Sequence, residues 1–334
     1  MRDPVSGFDY PEGWVEKCRS PDLLYLVREG LAVLTSSGTV LRRGFTTGTT
    51  AAAACKAAIL SLSGDVTSVP VKIPCGLVVS VAVSGSCGNA SCKKFGGDYP
   101  DDVTAGCEFI AEAIPLKKGI HFLPGDGIGR FSRDTPRYRE GNPAISPAPL
   151  ECILNSMEEA AHEVGLSGIQ IRLRIPEGES IAQRTLNPKV GVIGGISILG
   201  TTGLVEPWDD HLEESVCDRL SASPDAVLTT GRIGLRYARL LHPDKEVVLV
   251  GSRIAEALAA ARGEVTLLGL PALILRFISP DILEGTGYTT IEEFAASSGF
   301  LPVMKSSLLH FKKDYPHVRV VLVNREGRIL GETP

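Results

Sequence analysis

Apolar positions in Ala51–Leu62 recur at helical spacing, with Cys55, Ile59 and Leu62 on one face, and this predicts a helix. The stretch "GIQIRLRIPEG" (168–178) instead alternates apolar and polar residues, the pattern of a half-buried strand. Valine-rich "VPVKIP" and "LVVSVAVSG" predict two more strands. "LAVLTSSGTVLRR" (31–43) reads as a hairpin, two apolar runs around Ser-Ser-Gly. "APLECILNSMEEAAHEVG" predicts an amphipathic helix that ends at Gly165, while "DDVTAGCEFIAEAI" suits either a short helix or a strand end. These elements mix irregularly, so residues 1–188 are expected to form an α+β domain.

After Lys189 the pattern becomes regular. "VGVIGGISIL", "DAVLTTG", "EVVLVGS" and "EVTLLGL" read as strands. Between them, "DDHLEESVCDRLSA" carries Leu212, Val216 and Leu220 at four-residue intervals, and "RIGLRYARLL" and "RIAEALAAARG" are also helical. Alternation of this kind predicts that residues 189–334 form an α/β domain with a mostly parallel, Rossmann-like sheet. Ligands of such sheets sit beyond the carboxyl ends of the strands, here the turns Gly200–Gly203, Thr229–Gly231 and Gly251–Ser252.

The 334 residues suffice for two domains. A net charge of -5 and the lack of a long basic run argue against a nucleic-acid partner. No apolar stretch reaches the roughly 18–20 residues that span a bilayer, and the N-terminus lacks the apolar core of a signal peptide. A cytoplasmic protein is expected, its eight cysteines reduced. Cys87 and Cys92 lack a second pair or a nearby histidine, so no protein metal site is expected, and Cys87 lacks the partner of a cysteine nucleophile.

Three blocks concentrate chemistry. "RRGFTTGTTAAAACKAAIL" (42–60) sets hydroxyls at a helix start, whose first N–H groups lack partners within the helix. Thr49 or Thr50 as cap, Gly48 for close approach, and Thr46 and Thr47 as donors would make an anion-binding mouth; a tightly packed, capped helix is the alternative. "SCKKFGGDYPDDVTAG" (91–106) gathers Lys93, Lys94, two glycines and Asp98, Asp101 and Asp102, residue types for a cation or for acid–base work. "NPKVGVIGGISILGTTGLVEP" (187–207) places Gly194 and Gly195 inside a strand, where glycine marks a close approach, then Gly200, Thr201, Thr202 and Gly203 in a turn before Glu206. "PGDGIGR" (124–130) is a further glycine-rich turn with an acid and a cation, outside the GxGxxG spacing.

Taken together, "RRGFTTGTTAAAACKAA", "KKFGGDYPDDVTAG", "GDGIGR", "GNPAISPAP" and "LNPKVGVIGGISILGTTGLVEP", in this order, resemble the CbiD family of cobalt-precorrin-5B C1-methyltransferases in anaerobic cobalamin biosynthesis. The resemblance implies methyl transfer from S-adenosylmethionine to C1 of a tetrapyrrole that brings its own cobalt. Joined to the residue reading, it puts the polyanionic ring at Arg42, Arg43, Thr46, Thr47, Gly48, Thr49 and Thr50. The methyl donor is then expected at Gly194, Gly195, Gly200, Thr201, Thr202, Gly203, Thr230 and Gly231. Asp98, Asp101, Asp102 and Glu206 are the candidate catalytic carboxylates, and a homo-oligomer is compatible with the sequence. Two alternatives fit parts of the same pattern: a non-catalytic tetrapyrrole carrier, and a small-molecule kinase with "GTTAAAA" cradling phosphate.

Overall fold

The structure is a computed structural model that describes residues 1–134, 138–208, 220 and 223–334. It divides into two compact units, Arg42–Asp209 and Met1–Leu41 with Asp210–Pro334. It is a mixed α/β protein, with mostly antiparallel pairing in the larger sheet of the first unit and mostly parallel pairing in that of the second.

The first unit is organised around α1 (Thr47–Leu60), which is buried over every residue except Leu60. A helix enclosed on all sides cannot use one apolar stripe, and the run of alanines lets its neighbours come close on each side. Against it pack α2 (Pro147–Glu163) and a six-stranded sheet. The strands are β1 (Val66–Lys72), β2 (Val78–Ser86), β3 (Asn89–Lys93), β4 (Glu108–Pro115), β5 (Gly119–Pro124) and β6 (Gly168–Arg174), in the order β1-β2-β3-β4-β6-β5. Neighbours are antiparallel except β5 and β6. In β6 the expected alternation holds: Ile169, Ile171 and Leu173 are buried, Arg172 and Arg174 exposed. The stretch "CEFIAEAI", open between helix and strand, is β4.

The break expected at 188/189 lies inside this unit, and backbone pairing gives the reason. Gly195–Ile196 runs parallel to Gly127–Ile128, Val192–Ile193 antiparallel to Arg130–Phe131, and Leu204–Val205 antiparallel to Gly44–Phe45. The block 190–205, expected as the first strand of a parallel sheet with its turn, is three two-residue strands bound to the preceding domain.

The second unit has a five-stranded sheet of β7 (Asp225–Thr229), β8 (Glu246–Leu249), β9 (Glu264–Gly269), β10 (Val318–Val323) and β11 (Ile329–Glu332), ordered β8-β7-β9-β10-β11. All pairs are parallel except β10 with β11. The helix α3 (Arg232–Leu241) follows β7. Leu228, Val248, Leu267, Phe294, Met304 and Val320 share its core. The helix expected over 209–222 lies outside the described residues apart from Leu220, which is buried. The N-terminal segment belongs to this unit because Ser36 donates through N and Oγ to Leu240 O and Leu241 O, and Phe8 packs on Tyr237. The expected hairpin forms from Ala32–Leu34 and Val40–Arg42. Among the described residues no helix is long and apolar enough to cross a membrane.

Candidate active site

Thr46 is the N-cap of α1, accepting from Thr49 N at 3.2 Å. The other polar groups of the helix start are taken up by the chain itself. Gly48 N donates to Leu199 O, and Thr47 Oγ1 accepts from Leu199 N at 2.9 Å and faces Ser197 O at 3.2 Å. Thr49 Oγ1 donates to Gly203 O at 2.7 Å, and Thr50 Oγ1 turns back to Thr46 O at 2.9 Å. All four threonines are buried, and a Cβ on Gly48 would lie 2.7 Å from Pro149 Cβ. The expected anion mouth is therefore corrected. Residues 197–203 occupy the place where an anion would sit, held there by Thr46 N, Thr47 Oγ1, Gly48 N and Thr49 Oγ1, while Thr50 closes back on Thr46.

The candidate carboxylates meet the candidate cations. Asp98 takes Arg42 Nη2 at 2.8 Å and Nε at 3.1 Å, and also accepts from Arg42 N. Burial raises the Asp98 pKa, but the hydrogen bonds and charge of Arg42 outweigh it and hold the carboxyl below its ordinary range. The hydrogen bond and charge of Asp98 in turn raise the Arg42 pKa. Arg43, with a fully buried side chain, donates through Nε to Glu206 at 3.2 Å. Lys94 and Asp102 form an ion pair in which both side chains are under 10% exposed (2% and 8%), and Asp102 also accepts from Thr104 N and Oγ1. Desolvation lowers the Lys94 pKa more than Asp102 restores it. Asp98, Asp102 and Glu206 are thus each paired with a cation, while Asp101 stands exposed. The glycine pair of that loop serves a backbone crossing: a Cβ on Gly97 would meet Arg42 O and Gly44 N at 2.5 Å.

Crowding also explains most of the second glycine set. A Cβ on Gly195 would strike Gly127 backbone, one on Gly200 would strike Thr46, and one on Gly203 would lie 2.6 Å from Ile73 Cβ. Thr202 closes its own turn onto Leu204, and Thr201 is exposed. Asn187, which the sequence reading did not single out, fixes the crossing: buried, it donates to Gly195 O at 3.2 Å and accepts from Ser197 Oγ at 3.0 Å. Its signal was an amide beside a glycine-rich run, which has no other means of holding a strand without side chains. Only Gly194 of this set opens outward, with φ +74° and nothing within 4 Å of an added Cβ. It borders a cleft of about 250 Å³ lined by residues of Pro124–Arg130 together with Ile193 and Gly194.

In the second unit, Thr229, Thr230 and Gly231 stand where β7 ends, next to β9, the point at which strand order reverses. Thr229 Oγ1 is buried with no hydrogen-bond partner, and a Cβ on Gly231 would meet open space. Cys87 is exposed at the β2–β3 turn while Cys92 is buried on β3, and both are free. Burial pushes the thiols of Cys107 and Cys152 up to about 11 and that of Cys92 up to about 12. Buried thiols held protonated in this way are poor nucleophiles.

The CbiD family model matches residues 34–207. The cobalt-precorrin-5B C(1)-methyltransferase of Methanoregula boonei is 63% identical over the whole of both chains. That of Methanoculleus marisnigri is 59% identical, again over the whole of both. The crystal structure of a cobalamin biosynthesis protein (cbiD) from Archaeoglobus fulgidus is 40% identical, with a TM-score of 0.57 over 83% of this chain and 92% of that one.

Proposed function

Because the chain belongs to the CbiD family, we propose that it works as its relatives are named, transferring a methyl group to C1 of cobalt-precorrin-5B in cobalamin biosynthesis. The observation that carries this is likeness to such methyltransferases from end to end of both chains. The methyl donor is S-adenosylmethionine, and the cobalt arrives as part of the substrate. Bound, the donor supplies a methyl group on a sulfonium, a good leaving group, so the chain needs no covalent intermediate. Its task is to hold the ring carbon in near-attack geometry and to keep fixed dipoles around the redistributed charge.

We read the second unit as Rossmann-like and assign the donor to its strand-order reversal. Thr229, Thr230 and Gly231 would hold it, because the unpartnered Thr229 hydroxyl and the open face of Gly231 fit a ligand rich in polar groups. The test is S-adenosylhomocysteine release on mixing the full chain with S-adenosylmethionine and cobalt-precorrin-5B. One equivalent per tetrapyrrole consumed is expected; no release while the tetrapyrrole stays unchanged would overturn the reading. Thr229→Val should raise KM for the donor and leave that for the tetrapyrrole, and an unchanged donor KM would remove the donor assignment alone.

A further inference from the structure

We propose that the cleft bordered by Gly125, Arg130, Ile193 and Gly194 is the subsite for a carboxylate-bearing edge of the tetrapyrrole, with Arg130, Arg172 and Arg174 as its counter-charges. This rests on the reading of the substrate as a cobalt tetrapyrrole, whose ring periphery carries acetate and propionate arms. The stems of two arginines of β6 come close to Gly125, which lines the cleft: a Cβ on Gly125 would lie 3.7 Å from Arg172 Cγ and 3.8 Å from Arg174 Cβ. The guanidiniums of both make no hydrogen bond or ion pair among the described residues. Arg130, which lines the cleft, is held by Gly141 O at 2.9 Å and Pro124 O at 3.3 Å, neutral acceptors that leave its charge unbalanced. Acids stand nearby, Asp126 in the cleft, Glu112 in register with Arg172 and Glu108 further along the same strand face, yet among the described residues none forms an ion pair with Arg130, Arg172 or Arg174.

The surroundings complete the match. Leu123 and Ile193 leave 40% and 57% of their surface exposed beside these charges, which suits the apolar face of a ring. Gly194 lowers one wall, since a Cβ there would meet open space. Guanidiniums take carboxylates through paired N–H groups, a geometry lysine cannot offer. At about 250 Å³ the cleft is below the roughly 300–1,000 Å³ of enclosing pockets, so it grips one edge of a large ligand.

The test titrates the full chain with cobyrinic acid, a cobalt corrin with free carboxylates, and with its heptamethyl ester, both followed by absorbance. The acid should bind more tightly than the ester. Arg172→Ala/Arg174→Ala should weaken the acid roughly tenfold while the ester changes less than about twofold, and Arg172→Lys/Arg174→Lys should recover only part of the loss. Urea unfolding of each variant checks that the fold is kept. Unchanged acid affinity in the alanine variant overturns this subsite and leaves the methyltransferase reading standing. A wild-type chain that binds neither corrin, and releases no S-adenosylhomocysteine with cobalt-precorrin-5B, overturns that reading itself.

Discussion

Asp98 and Asp102 stand four residues apart and face different environments. Asp98 is partly exposed and tied to a half-exposed Arg42, so solvent screens the pair and its contribution is at most about 1 kcal/mol. Its carboxyl pKa lies below the ordinary value in the folded chain, so its stabilisation is present above the unfolded pKa and is lost as pH falls through the folded one. Asp98→Asn should therefore lower stability slightly at pH 7 and by progressively less as the pH falls below the ordinary carboxylate range, as urea midpoints across that range would show. Asp102 differs because its partner, Lys94, is buried. Asp102→Asn strands an ammonium in the interior and should cost about 3–5 kcal/mol, whereas Lys94→Met/Asp102→Leu should cost clearly less. A double variant no more stable than the single one would show that the pair is not what sets the cost. Both residues were legible as charged loop positions; their partners were not, because pairing depends on which segments the fold brings together.

At the scale of elements, α1 shows where local pattern stops informing. The sequence marks a helix, and the structure bears it out, yet the alanines carry no face that would have told enclosure by protein from contact with a ligand. The hydroxyls were equally ambiguous, since a threonine that caps, clamps a neighbouring loop or meets an anion has the same sequence. Gly48 separates these readings. Alanine there would gain about 1 kcal/mol of helix propensity but must displace Pro149, and overpacking of this kind costs about 1–3 kcal/mol. Gly48→Ala should lower stability or at best leave it unchanged, without a selective loss of tetrapyrrole affinity. A stabilised variant that fails to bind the tetrapyrrole would restore the anion mouth. Strands such as β6 were readable because one face meets the core and the other water; residues 190–205 were not, because two-residue strands carry no period.

For the molecule as a whole, strand–helix alternation pointed to a parallel sheet, and β7–β10 form one. The boundary moved because glycine crossings bind 190–205 to Gly127 and Gly44, contacts between segments far apart in sequence that composition does not encode. The arginines stand in different settings: Arg43 is buried against Glu206, whereas Arg130, Arg172 and Arg174 make no ion pair among the described residues. Family membership gives a cobalt-precorrin methyltransferase, and the arginines without ion pairs are what the proposed subsite rests on. The most direct measurement is a 13C NMR spectrum of the tetrapyrrole after turnover with 13C-methyl S-adenosylmethionine. One new methyl resonance coupled to C1 is predicted; label at another ring carbon, or no incorporation by the folded protein, would contradict the account.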